Sequence, residues 1–266
     1  MTTVEGAVAV ITGAGSGIGR ATARSLAQRG AAVVVTDRDE ARAAAVAGEI
    51  TAAGARAHHE RVDVASDDDV HALAAAVVSA FGRVDIVMSN VGVMAKGLPL
   101  EIPIDAWAST IDVNLLGSVR VLQAFLPMLL EQGSGHVVTT GSTAGLFPYA
   151  FDRLPYTAAK AALVALTEAL ALYLRPRGIG VTCFCPAGVI TNIVEQITEY
   201  GPPTPIQLPQ IPLISAEEAG ELVVQGILLD QLLVLTDPVA DEMVLRHATD
   251  REGFLRAQLD YLEGGT

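Results

Sequence analysis

The feature that most constrains this chain is a strand, a glycine-rich turn and a helix in immediate succession at its start. Ala7-Val8-Ala9-Val10-Ile11 is a continuous apolar run of strand length, the pattern of a strand buried on both faces. Thr12-Gly13-Ala14-Gly15-Ser16-Gly17-Ile18-Gly19 follows, and Arg20 to Arg29 reads as a helix closed by Gly30. Such a turn aims the N–H groups of a helix N-terminus at a phosphate. A second apolar run, Ala32 to Thr36, ends at Asp37, at a separation from Gly19 close to the roughly 20 residues expected of a dinucleotide-binding unit. A carboxylate there accepts hydrogen bonds from an adenosine ribose and repels a 2′-phosphate. The pattern therefore predicts NAD over NADP, with Arg38 as a partial offset.

The alternation continues. Asp39 to Gly54 and Ser66 to Gly82 read as helices, with strands over Ala55 to Val64 and Val84 to Met88. Strands and helices in turn with short connections predict an α/β fold: a doubly wound parallel sheet of about seven strands, with helices on both faces, in a single domain over 1–266. Asp63, with Val64 beside it, and Asn90 fall at strand C-terminal ends, where such sheets bind ligands; capping or turn formation is the alternative reading. One helix from about Ile104 to Glu131, kinked or shortened at Pro127, carries Asn114 in its interior. Further strands are expected at Gly135 to Thr140, Gly180 to Phe184 and Leu232 to Thr236, the first delivering Ser142 to the same sheet edge. Five prolines between Gly201 and Pro212 predict an extended stretch within a substrate segment at about 189–214. Ser215 to Leu229 reads as a helix, and Pro238 to Leu262 as one closing helix.

Leu154-Pro155-Tyr156-Thr157-Ala158-Ala159-Lys160 opens a long apolar helix, with Pro155 suited to the first turn. Tyr156 and Lys160 stand i, i+4 on one face. A phenol titrates near 10, and a neighbouring ammonium favours its ionised form, so the pair is suited to general acid/base work. That helix is apolar nearly all round, which predicts burial on more than one face; its small residues permit close helix approach and suggest a subunit contact as well as sheet packing, with a merely internal helix as the alternative.

Bulk properties exclude several classes. The 266 residues carry a formal net charge of −13, which repels a phosphate backbone and argues against nucleic-acid binding. With 51% hydrophobic and 18% charged residues the composition is not that of a disordered chain. No apolar run of roughly 18 residues is free of charges, and the first residues lack a secretory pattern, so a cytoplasmic, soluble protein without a membrane partner is expected. Cys183 and Cys185 point to one side of a strand and read as buried free thiols; no metal-ligand cluster accompanies them.

Taken together, these residues resemble the short-chain dehydrogenase/reductase family over about residues 5 to 236. Its glycine motif is matched by Thr12, Gly13, Gly17 and Gly19, and its active-site tetrad by Asn114, Ser142, Tyr156 and Lys160. The resemblance implies that Tyr156 exchanges a proton with the substrate oxygen while hydride moves to or from the nicotinamide. It further implies that Ser142 hydrogen-bonds that oxygen, that Lys160 depresses the Tyr156 pKa and holds the nicotinamide ribose, and that Asn114 helps bind a water linking Lys160 to solvent. NAD would lie on Gly13, Ser16, Gly17, Ile18, Gly19, Asp37, Asp63, Val64, Asn90, Tyr156, Lys160 and Thr191.

The chain departs from the family pattern at Ser89-Asn90-Val91-Gly92, at Pro186-Ala187, in a Ser142 to Tyr156 connection about one residue longer than usual, and in its closing segment at about 238–262. Leu146, Phe147, Tyr149, Phe151 and Leu154, with Ile206, Leu208, Ile211 and Leu213, predict an apolar pocket for a hydrophobic secondary alcohol or ketone of aromatic, terpenoid or steroid type. The alternative is that they pack a core or an interface. The runner-up function is a non-catalytic dinucleotide-binding regulator; a nucleotide-sugar epimerase or dehydratase is disfavoured because those relatives generally have a larger C-terminal domain. By resemblance a homotetramer is expected, with a dimer as runner-up.

Overall fold

Strands that are apolar on both sides must be covered on both sides, and the computed structural model, which describes residues 2–191 and 195–264, is built around that requirement. Its elements run β1 (Val8–Thr12), α1 (Gly17–Gln28), β2 (Ala32–Asp37), α2 (Glu40–Ala52), β3 (Ala57–Arg61), α3 (Asp67–Phe81), β4 (Ile86–Ser89) and β5 (Met94–Gly97). They continue with α4 (Ile104–Ile111), α5 (Gly117–Gln132), β6 (Gly135–Thr140), α6 (Leu154–Leu174), β7 (Ile179–Cys185), β8 (Val189–Ile190), β9 (Ile197–Tyr200) and β10 (Ile214–Ser215). The last are α7 (Ala216–Leu229), β11 (Leu233–Leu235), α8 (Pro238–Thr249) and α9 (Arg251–Leu262). Seven strands form one parallel sheet in the order β11-β7-β6-β4-β1-β2-β3. The fold is the expected doubly wound one in a single domain.

The period of two along each strand divides the core. Ala9, Ile11, Val33 and Val35 pack with α1, α2 and α7 on one face; Val8, Val10, Val34 and Val181 pack with α3, α5 and α6 on the other. Strand order reverses between β1 and β4, so the connections leaving these neighbours diverge and open a crevice at their C-terminal ends. The glycine turn follows β1, and Asn90 follows β4, at that crevice.

Several boundaries depart from expectation. The third strand is shorter, Ala57–Arg61, because Asp63 already belongs to a turn, its Oδ1 accepting from Ala65 N at 2.9 Å. The long helix is interrupted by a π turn at Asp112–Leu116 that contains Asn114, and it runs through Pro127 to Gln132. Burial of Val121, Leu122, Phe125 and Leu129 holds that last part in place despite the missing proline N–H. The closing segment is two helices, because Asp250 caps α9 through Gly253 N at 2.9 Å. The substrate segment holds a strand that the prolines concealed: β9 pairs with β5 in parallel from Met94↔Ile197 to Gly97↔Tyr200. Residues 192–194 of that segment lie outside the described residues.

Ile104–Gln132 and Leu154–Arg177 are long and apolar enough to cross a membrane by length and composition; here both flank the sheet. Among the described residues no group of three or more His, Cys, Asp or Glu is placed to hold a metal ion. Cys183 and Cys185 are free, with their sulfurs 3.5 Å apart.

His136, buried within β6, bonds Thr182 Oγ1 through Nε2 at 2.8 Å. Burial pushes its pKa down to about 4, below the value near 6.5 expected of an unfolded chain. The neutral ring therefore contributes stability that is complete above pH 6.5 and is lost as pH falls toward 4, about 3 kcal/mol in all. Urea denaturation at pH 7.5 and pH 5 should show this loss, and His136→Gln should flatten it; an equal loss in both proteins would assign the pH dependence to other groups.

Candidate active site

The crevice is lined first by the glycine turn. Gly13 adopts φ +64°, a left-handed conformation that glycine takes without strain, and α1 starts at Gly17 with its free N–H groups facing outward. Ser16 occupies the N-cap position, yet its side chain makes no cap hydrogen bond, so the hydroxyl is available to a ligand. A Cβ on Gly19 would collide with the Gly13 carbonyl and stand 2.7 Å from Asn90 Nδ2. Crowding of that kind costs about 1–3 kcal/mol, so Gly19→Ala is expected to weaken NAD binding by roughly tenfold or more. Calorimetric titration measures this, and an unchanged affinity would remove the turn from the binding site.

Asp37 ends β2 as expected. Its Oδ2 accepts from Gly15 N at 3.1 Å and its Oδ1 from Asp39 N at 3.0 Å, and each oxygen keeps a further lone pair. Arg42 lies alongside, bonded to Glu195 Oε2 at 2.9 Å; sequence reasoning had passed over this contact. Asn90 acts as a strut: its Nδ2 donates to the carbonyls of Thr12 and Gly13 at 3.2 and 3.3 Å, and its Oδ1 accepts from Thr140 Oγ1 at 3.1 Å. Val64 is buried and packs where a Cβ on Gly117 would lie, 2.8 Å from Val64 Cγ2. Asp63 is committed to its own turn. Thr191 stands across the crevice, its side chain 3.2 Å from where a Cβ on Gly17 would be. A glycine cradle, an exposed helix N-terminus and a carboxylate at the end of β2 fit a dinucleotide in chemistry and in arrangement.

The tetrad candidates converge beside this crevice. Lys160 is buried and donates from Nζ to the Thr140 carbonyl at 2.7 Å; the same Nζ lies 5.6 Å from the centroid of the Tyr156 ring. A Cβ on Gly92 would stand 2.9 Å from Asn114 Oδ1 and 3.5 Å from Lys160 Nζ, which puts both side chains at one backbone position. Asn114 is held by backbone: Nδ2 donates to the carbonyls of Val93 and Thr110 at 2.9 and 2.8 Å, and Oδ1 accepts from Val93 N at 3.2 Å. Its amide therefore clamps the π turn to the strand edge. Ser142 caps a short 3₁₀ turn, Thr143–Gly145, accepting from Ala144 N at 3.1 Å. Gly145 lets that turn lie on α6, since a Cβ there would stand 2.6 Å from the Lys160 carbonyl carbon.

The electrostatics correct one expectation. Part of Tyr156 reaches the surface, yet its phenol is so enclosed that burial pushes the pKa up to about 12; Tyr149 adds to the rise, and hydrogen bonding to Ser142 and the charge of Arg153 oppose it. Burial also brings Lys160 down to about 8. Desolvation thus dominates at Tyr156, and the Lys160 ammonium gives its hydrogen bond to Thr140 rather than to the phenol oxygen. In the protein alone Tyr156 is a neutral phenol at pH 7, a proton donor.

Around Tyr156 lies an apolar cluster of Phe147, Tyr149, Ile211, Met243 and Phe254. Phe254 of α9 meets Phe147 edge-on at 5.7 Å, so the closing hairpin packs onto the connection between Ser142 and Tyr156. Of the expected pocket residues, Phe147, Tyr149 and Ile211 are therefore taken into packing, whereas Phe151, Ile206, Leu208 and Leu213 remain exposed.

Residues 7–200 match the family model for short chain dehydrogenases. The chain belongs to the short-chain dehydrogenase/reductase family. It is 32% identical over 262 residues to the (2S)-[(R)-hydroxy(phenyl)methyl]succinyl-CoA dehydrogenase subunit BbsD of Thauera aromatica, covering 98% of this chain and 97% of that one. The crystal structure of a short chain dehydrogenase/reductase from Burkholderia phymatum in complex with NAD superposes with a TM-score of 0.85 at 34% identity, covering 95% of this chain and 96% of that one. A metagenomic short-chain oxidoreductase solved with NADP gives 0.73 at 32% identity, covering 88% of this chain and 97% of that one. The chain is thus an oxidoreductase whose fold binds a nicotinamide dinucleotide.

Proposed function

We propose that this dehydrogenase moves hydride between NAD(H) and a hydrophobic secondary alcohol or ketone, with an aryl-bearing substrate as the first choice. The observation that carries the reading is Tyr156 at the margin of an apolar cluster, beside Ser142 and Lys160. The near full-length similarity to BbsD, named for a hydroxy(phenyl)methyl compound, supports an aromatic secondary alcohol.

When bound, the nicotinamide supplies or accepts the hydride. Tyr156, neutral at pH 7, gives its proton to a ketone oxygen; in the reverse direction it first loses that proton to solvent, and the phenolate takes one from the alcohol. Ser142 holds that oxygen by a hydrogen bond and stabilises charge building on it. Lys160, fixed by Thr140, presents its remaining hydrogens to the ribose hydroxyls. Asn114 clamps Val93 next to Lys160 through its amide, and the remaining lone pair of its Oδ1 can accept from a water that links Lys160 to solvent. Asp37 selects NAD by receiving the adenosine ribose hydroxyls.

Absorbance at the reduced-nicotinamide band, with NAD and NADP against a panel of secondary alcohols, tests the reading. NAD reduction with aryl secondary alcohols is the expected result. Turnover confined to small polyols or sugars would overturn the substrate class, and silence with both dinucleotides would favour a dinucleotide-binding regulator. The helices flanking the site expose Leu116, Tyr173 and Leu172, the last at 81%, which supports a homotetramer, with a dimer as second choice. Light scattering that gave a monomer would overturn this assembly.

A further inference from the structure

Beside Tyr156 lies a cluster of charges for which the proton-transfer scheme has no use. Lys96, Asp152 and Arg153 are 2%, 0% and 4% exposed, and charges so buried are costly unless each is paired and hydrogen-bonded. Arg153 donates from Nε to Asp152 Oδ1 at 2.8 Å and from Nη2 to the Gln207 carbonyl at 2.8 Å. Lys96 donates from Nζ to Glu199 Oε1 at 3.0 Å and to the Thr204 carbonyl at 2.5 Å, and stands 3.9 Å from Asp152 Oδ2. Thr204 Oγ1 donates to that same Oδ2 at 3.2 Å, and Gly97 N to the Asp152 carbonyl at 2.7 Å. Three segments distant in the chain meet here: β5, the two residues that precede α6, and the stretch from Glu199 to Gln207.

The cluster also reaches the site. The Arg153 guanidinium carbon lies 5.7 Å from the centroid of the Tyr149 ring, within the range of a cation–π contact. Tyr149 belongs to the apolar cluster that holds Tyr156. Replacing buried ion pairs by apolar groups is often neutral or stabilising, so stability alone is a poor reason for a cluster that places two cations and an anion within four residues of Tyr156 and on the strand beside it.

We propose that Arg153 is a positioning residue for proton transfer at Tyr156: held by Asp152 and backed by Lys96, its guanidinium seats Tyr149 next to Ser142 and fastens the 199–207 stretch as one wall of the alcohol pocket. The proposal rests on the reading of Tyr156 as the proton-transferring group. Arg153 does not touch the reacting atoms; it acts through Tyr149 and through the wall. The groups that face Tyr156 are Tyr149 from the preceding connection, Ser142 and Cys185 from the ends of β6 and β7, and Lys160 from its own helix, with Arg153 the cation that opposes the rise in its pKa. Behind them stand Asp152, Lys96 and Glu199, and His247 packs on Phe254 at 5.3 Å.

The test compares the full-length parent with Arg153→Met, Arg153→Lys and Lys96→Met. For Arg153→Met, kcat/KM for an aryl secondary alcohol should fall about tenfold or more, with KM raised. Loss of a cation disfavours the phenolate, so the rise of alcohol oxidation with pH should move upward, by about half a unit or more. Arg153→Lys keeps the charge without the two-pronged fork, and should restore the pH profile but not KM. Lys96→Met should raise KM and leave the profile in place. Chymotrypsin should cut near Tyr200 and Leu208 about tenfold faster in Arg153→Met and Lys96→Met than in the parent, while NAD affinity stays within about twofold.

An Arg153→Met protein that binds NAD and keeps either the parental pH profile or the parental cleavage rate overturns the proposal. Should that variant lose NAD binding, Arg153→Lys decides through KM and Lys96→Met through KM and the cleavage rate, and parental values there overturn the proposal. A parent that turns over no alcohol defeats the reading of Tyr156 instead; the cleavage rates then decide on the wall independently.

Discussion

Tyr156→Phe is expected to lower turnover by about 10³-fold or more while NAD affinity remains within about twofold. The substitution removes one oxygen from a ring that stays packed in the apolar cluster with Phe147 and Phe254, so the fold loses little. Chemistry loses the group that gives or receives the proton. Neither of its polar neighbours is set to replace it: Lys160 is engaged with the Thr140 carbonyl, and Ser142 is an alcohol with no base of its own. The nearest rival is Tyr149, buried in the same cluster, whose pKa burial likewise pushes up. Activity of Tyr156→Phe within about tenfold of the parent would transfer the role to Tyr149, and the pair Tyr149→Phe and Tyr156→Phe separates the two outcomes.

Asp37→Ser should reverse dinucleotide preference. With the carboxylate present, a 2′-phosphate meets a like charge at a position where its oxygens already satisfy Gly15 N and Asp39 N. Juxtaposed like charges cost several kcal/mol. Without it, the neighbouring cations Arg38 and Arg42 can meet the 2′-phosphate, although Glu195 and Asp39 engage Arg42 at 2.9 and 3.4 Å. The ratio of kcat/KM for NADP over NAD is expected to rise by about 10², read from initial rates with one alcohol and both dinucleotides. A ratio that does not move would take selection away from the end of β2 and place it on the segment that carries Glu195.

The central sheet was readable from local pattern. Val8–Thr12 and Ala32–Asp37 are apolar on both sides because each face of the sheet is covered, and that requirement is written in consecutive residues. The glycine turn and the Tyr156–Lys160 spacing are legible for the same reason: each occupies one turn or two turns of backbone. Where a cue was present but weak, the boundary moved. Asp250 and Gly253 form a cap that splits α8 from α9, and Asn114 marks a π turn rather than a mere polar position in a helix. β9 lay hidden beside the prolines because its partner, β5, is a hundred residues away in the chain.

Sequence alone thus determined the fold class and placed the glycine turn, Asp37, Asn90, Tyr156 and Lys160 at one edge of the sheet, since these follow from hydrophobic period, turn chemistry and helical register. Tertiary structure decided how those side chains are tuned and held. Lys96 looks like any surface lysine until β5 is enclosed by Asp152, Thr204 and Glu199. Lys160 was expected to draw Tyr156 toward ionisation, and instead both groups are shifted toward their neutral forms. Desolvation and hydrogen bonding depend on atoms contributed by segments far apart in the chain, and no local pattern of residues carries that information.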